Sequence, residues 1–550
     1  MVLLKSFFTY YKFLGVLLIL CIVSIFSTLF WSLDKGINLA DEGLHYALSN
    51  PNTTNNNSLF NYDLFFKIFY KITKFEFGII SLRMLKFLLL VLLFILGLPI
   101  FNKNNFSVLD KLFLAIAIFC PYTFLTQSLS YNSICFILLL SYIYLYTNLQ
   151  NSSVSKQNVL SFLMAILSSL CFFSKPPLSL LMFGITYILT FINLSKLRVV
   201  NLLVRCFLVT FGYVIVQFIF QHIFPDYSFI KVLNDGIQLS TYYESYNKFN
   251  LIKRLIVSFK WVFILSFIGL IIGYIFYKKK PSLLGIIISL IMIVVMLGYF
   301  FMSHLSSNEF NVFQYGLVII SAVALGFIMY FQKAKYFSMQ KKILIVLLFI
   351  APFICNLGSN VYFLRSGQQF IFFWFLLFVY LKNNSKTIPK YVSFVWYIIF
   401  SCFISIKIHN NVVVNPDNQP QLSSNFVTYN YGNESYIKID KAQADYLINL
   451  KEKLNQYSPI RREIIGLYAM PGDILFTGYV NYYSPLIWDV FQFRFIKNMI
   501  NENPKFKNTT MPLLVTRDFK NKEIEKIDGY RLLDSVKDYR NGYVYICDQF

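Results

Sequence analysis

Acidic residues are scarce in this chain. Of its 550 residues, 26 are Asp or Glu against 49 Lys or Arg, and the formal net charge is +23. All charged types together make up 14% of the sequence, while 57% is hydrophobic and 19% aromatic. A soluble globular protein of this length has no use for so much apolar surface. The composition therefore excludes that class and points to a polytopic membrane protein.

Cysteine is also sparse, at eight residues. Seven of them (Cys21, Cys120, Cys135, Cys171, Cys206, Cys355 and Cys402) lie in or beside apolar runs, leaving Cys547 alone in the C-terminal part. That part has no internal disulfide, and no spacing fits a thiolate metal site. The charge is uneven too. Residues 1–408 hold 32 Lys and Arg against 10 Asp and Glu, whereas residues 409–550 hold 17 against 16. The excess belongs to the membrane part, where orientation accounts for it. A nucleic-acid partner would need a basic soluble domain, and this one is near neutral.

Apolar runs of about spanning length lie near 13–32, 84–101, 112–129, 132–149, 158–173, 176–193, 200–220, 258–277, 282–302, 313–331, 343–361, 368–381 and 391–408. The expected fold class is a mainly α helical bundle of about 11–13 spans, followed by a small extracytoplasmic α/β domain. The run from Phe13 to Trp31 ends in no small-residue cleavage site, so it reads as a first span rather than a signal peptide.

Lys103 with Lys111, Lys196 with Arg198, Lys278 to Lys280, Lys333 with Lys335 and Lys341, and Lys382 with Lys386 fall in alternate short loops. The positive-inside rule makes those loops and the N-terminus cytoplasmic. The other side then holds every acid of residues 1–408 except Asp110, all four histidines, and residues 409–550. Asn, Lys, Ile and Phe usage points to a bacterial inner membrane.

Two outer loops are long, 33–80 and 221–257. In the first, Phe60 to Lys71 repeats apolar positions at helical spacing with lysines between, the pattern of a helix lying on the membrane surface. The expected division is 1–408 for the membrane domain and 409–550 for the soluble one, with a linker at 411–425. In the soluble part the pattern predicts a helix over Lys441 to Leu454. It predicts strands over Ile474 to Thr477, Leu513 to Thr516 and Tyr543 to Ile546.

The stretch richest in chemistry is Ala40-Asp41-Glu42-Gly43-Leu44-His45-Tyr46, just after the first span. Two adjacent carboxylates at the mouth of a membrane helix are expensive to keep there and mark a working site. Three further stretches accompany it: Ser81-Leu82-Arg83-Met84-Leu85, Phe173-Ser174-Lys175-Pro176-Pro177, and Asn360-Val361-Tyr362-Phe363-Leu364-Arg365. In their order and sidedness these resemble landmarks of the GT-C superfamily of membrane glycosyltransferases. The resemblance is in particular to the branch holding protein O-mannosyltransferases and the lipid A aminoarabinose transferase.

In that family the first-loop acid, an Arg-bearing entry to the second span, a Lys-Gly/Pro-Pro turn and an Arg-bearing late helix recur in this sequence. The resemblance covers roughly residues 1–380. It implies a sugar donor linked to polyprenyl phosphate, an outward-facing site, and an acceptor that is a protein, a lipid or another glycan. Tyr131-Asn132 stands where several relatives have another acid, which counts against a metal site; no cofactor is required and nothing local supports a divalent ion. The C-terminal segment, including Tyr468-Ala469-Met470-Pro471-Gly472-Asp473, matches no domain that names an acceptor.

The chemistry agrees with the residue types. An acceptor hydroxyl attacking an anomeric carbon must lose a proton, which calls for a carboxylate base. The leaving phosphate needs fixed cations rather than an acid. On this reading Asp41 is the base and Glu42 its neighbour or substitute; Lys175, Arg365 and Arg83 hold the donor phosphate; His45 and Tyr46 orient the acceptor. Each has a plainer role: Asp41 and Glu42 as solvated or capping acids, Lys175 and Arg365 as interfacial anchors, His45 as a hydrogen-bonding neighbour. Arg83 lies deeper and needs a counter-ion, with Asp41, Glu42 or Glu76 available. The competing functions are a flippase or transporter for lipid-linked glycan, an O-antigen polymerase or ligase, and an inactive GT-C scaffold.

Overall fold

The first apolar run forms one unbroken helix, α1 (Val2–Trp31). The structure, a computed structural model, describes residues 2–53, 55, 61–124, 126–149, 152–192, 199–234, 253, 256, 338–356, 367–385, 390–414, 425–432, 435–457, 464–467, 470–479, 513–517, 530–540 and 542–549. The expected spans at 258–277, 282–302 and 313–331 lie outside the described residues, as do most of the loop 221–257 and residues 415–424 of the linker.

After α1 come α2 (Asp41–Ser49), α3 (Asp63–Thr73), α4 (Ile79–Lys103), α5 (Val108–Ala117), α6 (Tyr131–Leu149), α7 (Val154–Phe172), α8 (Pro176–Ile192), α9 (Val199–Ile223), α10 (Met339–Asn356), α11 (Phe372–Ser385) and α12 (Lys390–His409). Six of the helices among the described residues (α1, α4, α6, α7, α9 and α10) are long and apolar enough to cross a membrane. Helix α4 shows why they belong in hydrocarbon. Leu90 and Leu93 are buried in the bundle, yet Leu88, Leu92 and Ile95 on the other side are exposed and equally apolar. A helix apolar all round is stable only where both surroundings are greasy.

The expected span at 112–129 is corrected. Helix α5 stops at Ala117, a single 3₁₀ turn covers Cys120–Tyr122, and residues 123–124 and 126–130 have no regular structure. Pro121 supplies no N–H to continue the helix, and the polar run Thr126-Gln127-Ser128-Leu129-Ser130 follows. This irregular stretch is buried, with Thr126, Gln127, Ser128 and Ser130 all under 9% exposed. Irregular backbone at such depth is tolerated only when protein groups satisfy it. Asn411 Nδ2 donates to Tyr122 O at 3.0 Å. The run at 368–381 is likewise divided, into a 3₁₀ turn (Gly367–Phe370) and α11.

The C-terminal unit carries α13 (Lys441–Tyr457), α14 (Pro471–Phe476) and six strands: β1 (Phe426–Gly432), β2 (Ser435–Asp440), β3 (Ile464–Leu467), β4 (Leu513–Thr516), β5 (Tyr530–Lys537) and β6 (Tyr543–Gln549). β1 and β2 form an antiparallel hairpin; the other four form a sheet in the order β3-β4-β6-β5, parallel only between β3 and β4. The sequence marks α13, β4 and β6 correctly, but Ile474 to Phe476 is helical, not a strand. Met470-Pro471-Gly472 starts a helical turn with Pro at its first position, where a missing N–H costs nothing.

One apolar core joins this unit to the bundle. Ile37, Leu39 and Leu44 of the first loop pack with Ile79 and Leu82 of α4 and with Ile437, Ile439, Leu447 and Ile474 of the C-terminal unit. Lys35 also pairs with Lys438 as a parallel β-bridge beside β2.

Candidate active site

The acidic turn sits at the start of α2. Asn38 caps it: its Oδ1 accepts from the backbone N of Ala40 at 2.8 Å and of Asp41 at 3.0 Å. Capping therefore falls to Asn38, three residues ahead of the acid the sequence offers for that role, and Asp41 is the first helical residue.

Successive helical residues point about 100° apart, and the two acids meet opposite fates. Glu42 is 3% exposed while Asp41 is half-buried. Glu42 Oε2 lies 2.7 Å from Arg83 Nη2, and its Oε1 accepts from Arg83 Nε at 2.9 Å, a bidentate pair. Ser128 adds its backbone N at 3.1 Å and its hydroxyl at 2.5 Å, both to Oε1. Burial pushes the Glu42 carboxyl up, but Arg83 and Ser128 more than reverse this and hold it below the ordinary range.

Arg83 has little left to offer a ligand. Its Nη1 donates to the carbonyls of Ser32 (2.8 Å), Leu33 (3.0 Å) and Lys35 (2.9 Å), and its Nη2 also reaches Gly36 O at 2.6 Å. Of the counter-ions open to it in the sequence, Glu42 is the partner. Its donors converge on protein acceptors, in the geometry of a clamp on this turn.

His45, one turn on from Asp41 and Glu42, is 4% exposed. Its Nδ1 lies 2.6 Å from Tyr62 Oη, and its ring centroid is 5.9 Å from that of Tyr131. Burial, with Lys86 adding to it, drives the imidazole down to about 3, so it is neutral at ordinary pH. Tyr46 points elsewhere, edge-on to Tyr431 at 5.4 Å and to Phe476 at 5.8 Å. The structure brings His45 to Tyr62 and Tyr131 and gives Tyr46 to the C-terminal unit.

Lys175 lies in the turn between α7 and α8, fixed by Pro176 at the first position of α8. It is 5% exposed. Its Nζ donates to Cys355 O at 2.5 Å and lies 5.5 Å from the Tyr131 ring and 5.7 Å from the Phe370 ring. Burial pushes this ammonium below the usual lysine range. Beside it, Ser174 Oγ is buried and lacks a hydrogen-bond partner among the described residues, as does Gln369 Nε2 in the turn that carries Phe370. Arg365 lies outside the described residues.

One cation escaped the sequence reading. Lys86 follows Arg83 by three residues on the same face of α4 and is 1% exposed. It donates to Pro121 O at 3.1 Å and Thr126 O at 2.8 Å and lies 4.1 Å above the Tyr122 ring. Two cations at i, i+3 inside an apolar span were the available signal. Ser128 was signalled by the polar run that breaks the expected span.

Alongside this polar group runs an apolar groove of about 590 Å³. Phe65, Phe66 and Phe69 of α3, Leu85 and Leu89 of α4, and Ile134 of α6 are among its walls. Leu129 and Ile134, which also line it, flank Tyr131 in the sequence. Tyr131 thus neighbours both His45 and Lys175. Among the described residues, no group of three or more His, Cys, Asp or Glu is placed to hold a metal ion.

No protein-family model matches this sequence, and no curated protein matches it either. Among solved structures, the chain is similar to ArnT from Cupriavidus metallidurans bound to undecaprenyl phosphate, at 10% identity and a TM-score of 0.41, covering 98% of each chain. It is similar also to the apo state of the same protein, at 11% identity and a TM-score of 0.39, covering 96% of this chain and 97% of that one.

Proposed function

We propose that this protein is an integral-membrane glycosyltransferase that moves a sugar from a polyprenyl-phosphate donor to an acceptor at the outer membrane face. The observation that carries this reading is one juxtaposition. Leu129 and Ile134 line a groove with only apolar walls, and Tyr131 between them in sequence lies 5.5 Å from the buried Lys175, whose neighbour Ser174 has no hydrogen-bond partner among the described residues. A long hydrocarbon chain suits the groove, and an anionic head group suits the lysine.

In the reaction, the acceptor oxygen forms a bond to the anomeric carbon as the bond from that carbon to the phosphate oxygen breaks. The acceptor proton passes to Asp41, and the bonding pair leaves with the phosphate. Asp41 takes the role of base because it is the half-exposed member of the acidic pair, while Glu42 is spent on Arg83. Lys175 and Arg365 meet the phosphate charge, with Ser174 and Gln369 as neutral donors. His45, neutral and tied to Tyr62, orients the acceptor, and Glu42 with Arg83 holds the turn. The N-terminus is then cytoplasmic, and residues 409–550 are extracytoplasmic in a bacterial inner membrane.

Asp41→Asn tests the reading with purified protein in lipid nanodiscs and a panel of polyprenyl-phosphate sugars. Transfer should fall by about 10²–10⁴-fold with an unchanged melting temperature. Undiminished transfer removes Asp41 from the chemistry, and movement of labelled lipid across liposomes without transfer would favour the flippase instead.

A further inference from the structure

The segment leading into Asp41 has almost no structure of its own. Residues 36–38 belong to neither helix nor strand, yet the backbone of residues 32–39 is taken from two directions. From the bundle, Arg83 binds four carbonyls between Ser32 and Gly36. From the C-terminal unit come four more bonds. Gly36 N donates to Lys438 O and Lys438 N to Asp34 O, both at 2.8 Å. Gln443 Nε2 donates to Ile37 O at 3.2 Å, and Gly472 N to Leu39 O at 2.9 Å.

The last of these is backbone pressed on backbone. A Cβ on Gly472 would lie 2.3 Å from Leu39 O, and a Cβ on Gly43 would lie 2.5 Å from Gly472 Cα. Neither position has room for a side chain, and the obstacle is main chain that cannot swing aside. Gly472 is itself held. The next residue, Asp473, is fully buried and accepts from Tyr446 Oη at 2.7 Å and Arg517 Nη2 at 2.6 Å. Arg517 Nη1 also reaches Asp538 at 3.2 Å. A continuous line of contacts thus runs from the four-stranded sheet to the backbone two residues before Asp41.

We propose that the C-terminal unit is a positioning element for Asp41, acting through the Gly472–Leu39 and Gly43–Gly472 contacts, so that Gly472 and Gln443 govern turnover without touching substrate. This rests on the reading of Asp41 as the base. Displacing a reacting group by about 1 Å can cost on the order of 10²-fold in rate, while the groove and Lys175 belong to other elements and keep their hold on the lipid.

The test uses the full chain in nanodiscs and three variants. Gly472→Ala inserts the obstructing methyl; Gln443→Leu removes one bond at little change in size; Gly542→Ala, where a Cβ would meet nothing within 4 Å, is the control. Hydrogen exchange of the peptide covering residues 36–49 is read first, without any substrate. Gly472→Ala, and to a smaller degree Gln443→Leu, should lose protection there, and Gly542→Ala should not. Steady-state transfer should then show kcat down about 10- to 100-fold for Gly472→Ala, with KM for the lipid donor within twofold.

Unchanged exchange in both Gly472→Ala and Gln443→Leu overturns the coupling whatever the protein catalyses. Should Gly472→Ala fail to fold, Gln443→Leu decides alone. Lost protection with kcat unaltered, or a KM effect in place of a kcat effect, overturns the positioning role. A wild-type protein with no transfer activity refutes the transferase reading instead, and the exchange result then stands or falls separately.

Discussion

The two ends of the bundle each bury a carboxylate against a cation from a distant helix, and they are otherwise unlike. At one end Asp110 sits at the start of α5 in a capping box with Ser107, and Lys382, Asn383 and Tyr397 close around it. At the other end Glu42 meets Arg83 and Ser128. Asp110 accepts from the Ser107 backbone N, Lys382, Asn383 and Tyr397. Glu42 shares α2 with a half-buried second acid and a neutral histidine, and His45 neighbours Tyr131, whose ring in turn lies 5.5 Å from the buried Lys175. A buried ion pair is therefore not by itself the mark of a site. What distinguishes the two ends is the half-buried acid and the neutral histidine that accompany Glu42 on α2, for which Asp110 has no counterpart on α5.

That contrast can be broken by removing one cation at a time. Arg83→Leu leaves Glu42 charged and buried and deprives four carbonyls of their donor, so it should cost about 3–5 kcal/mol. Lys382→Met leaves Asp110 with the Ser107 backbone N, Asn383 and Tyr397, and should cost about 1–3 kcal/mol. Melting temperatures in the same detergent compare them, and equal losses would mean that the two pairs are equivalent. The groove is sharpened next. Leu89→Trp places a bulky ring in it and should weaken retention of a polyprenyl phosphate about tenfold, or about 1.4 kcal/mol, with the fold intact; lipid-dependent thermal stabilisation measures this. The same change at Ile116, in the core near the Asp110 end, should cost stability instead.

The smallest effect is one of pH. His45 holds its imidazole at about 3 against an ordinary 6.5. Between those values the unfolded chain binds a proton that the folded one refuses, so stability is complete above pH 6.5 and declines as pH falls toward 3. Glu42, also depressed, contributes its own loss only below its ordinary value of 4.5. A melting series from pH 7 to 5 therefore reads the histidine before Glu42 contributes. His45→Gln should flatten it by a few degrees, and an unchanged slope would mean that His45 is not the group responsible.

Several of these features could be read from residues alone. A helix whose every face is leucine, isoleucine or phenylalanine has no soluble alternative, so the long spans follow from composition and length. The amphipathic α3 follows from its spacing of apolar residues and lysines. The Asp41-Glu42 turn is conspicuous because acids are rare before residue 408. Sequence misjudged 112–129, where hydropathy averages over a proline and a polar run whose partners lie on other elements. It also read Ile474 to Phe476 as extended, because three apolar residues in a row carry no period; Pro471 and the contact of Gly472 with Leu39 decide for a helical turn.

The chain by itself determined that this is a membrane bundle with a charged first loop and a near-neutral C-terminal unit. Solvation energies of that size are summed over hundreds of side chains and do not depend on who packs against whom. Which of two neighbouring acids is buried against Arg83 and which stays half-exposed, that Lys86 reaches across to Pro121 and Thr126, and that the C-terminal unit grips the approach to Asp41 were decided only by the folded arrangement. Each turns on a contact of about 3 Å between residues tens to hundreds of positions apart, and no local pattern encodes such a distance.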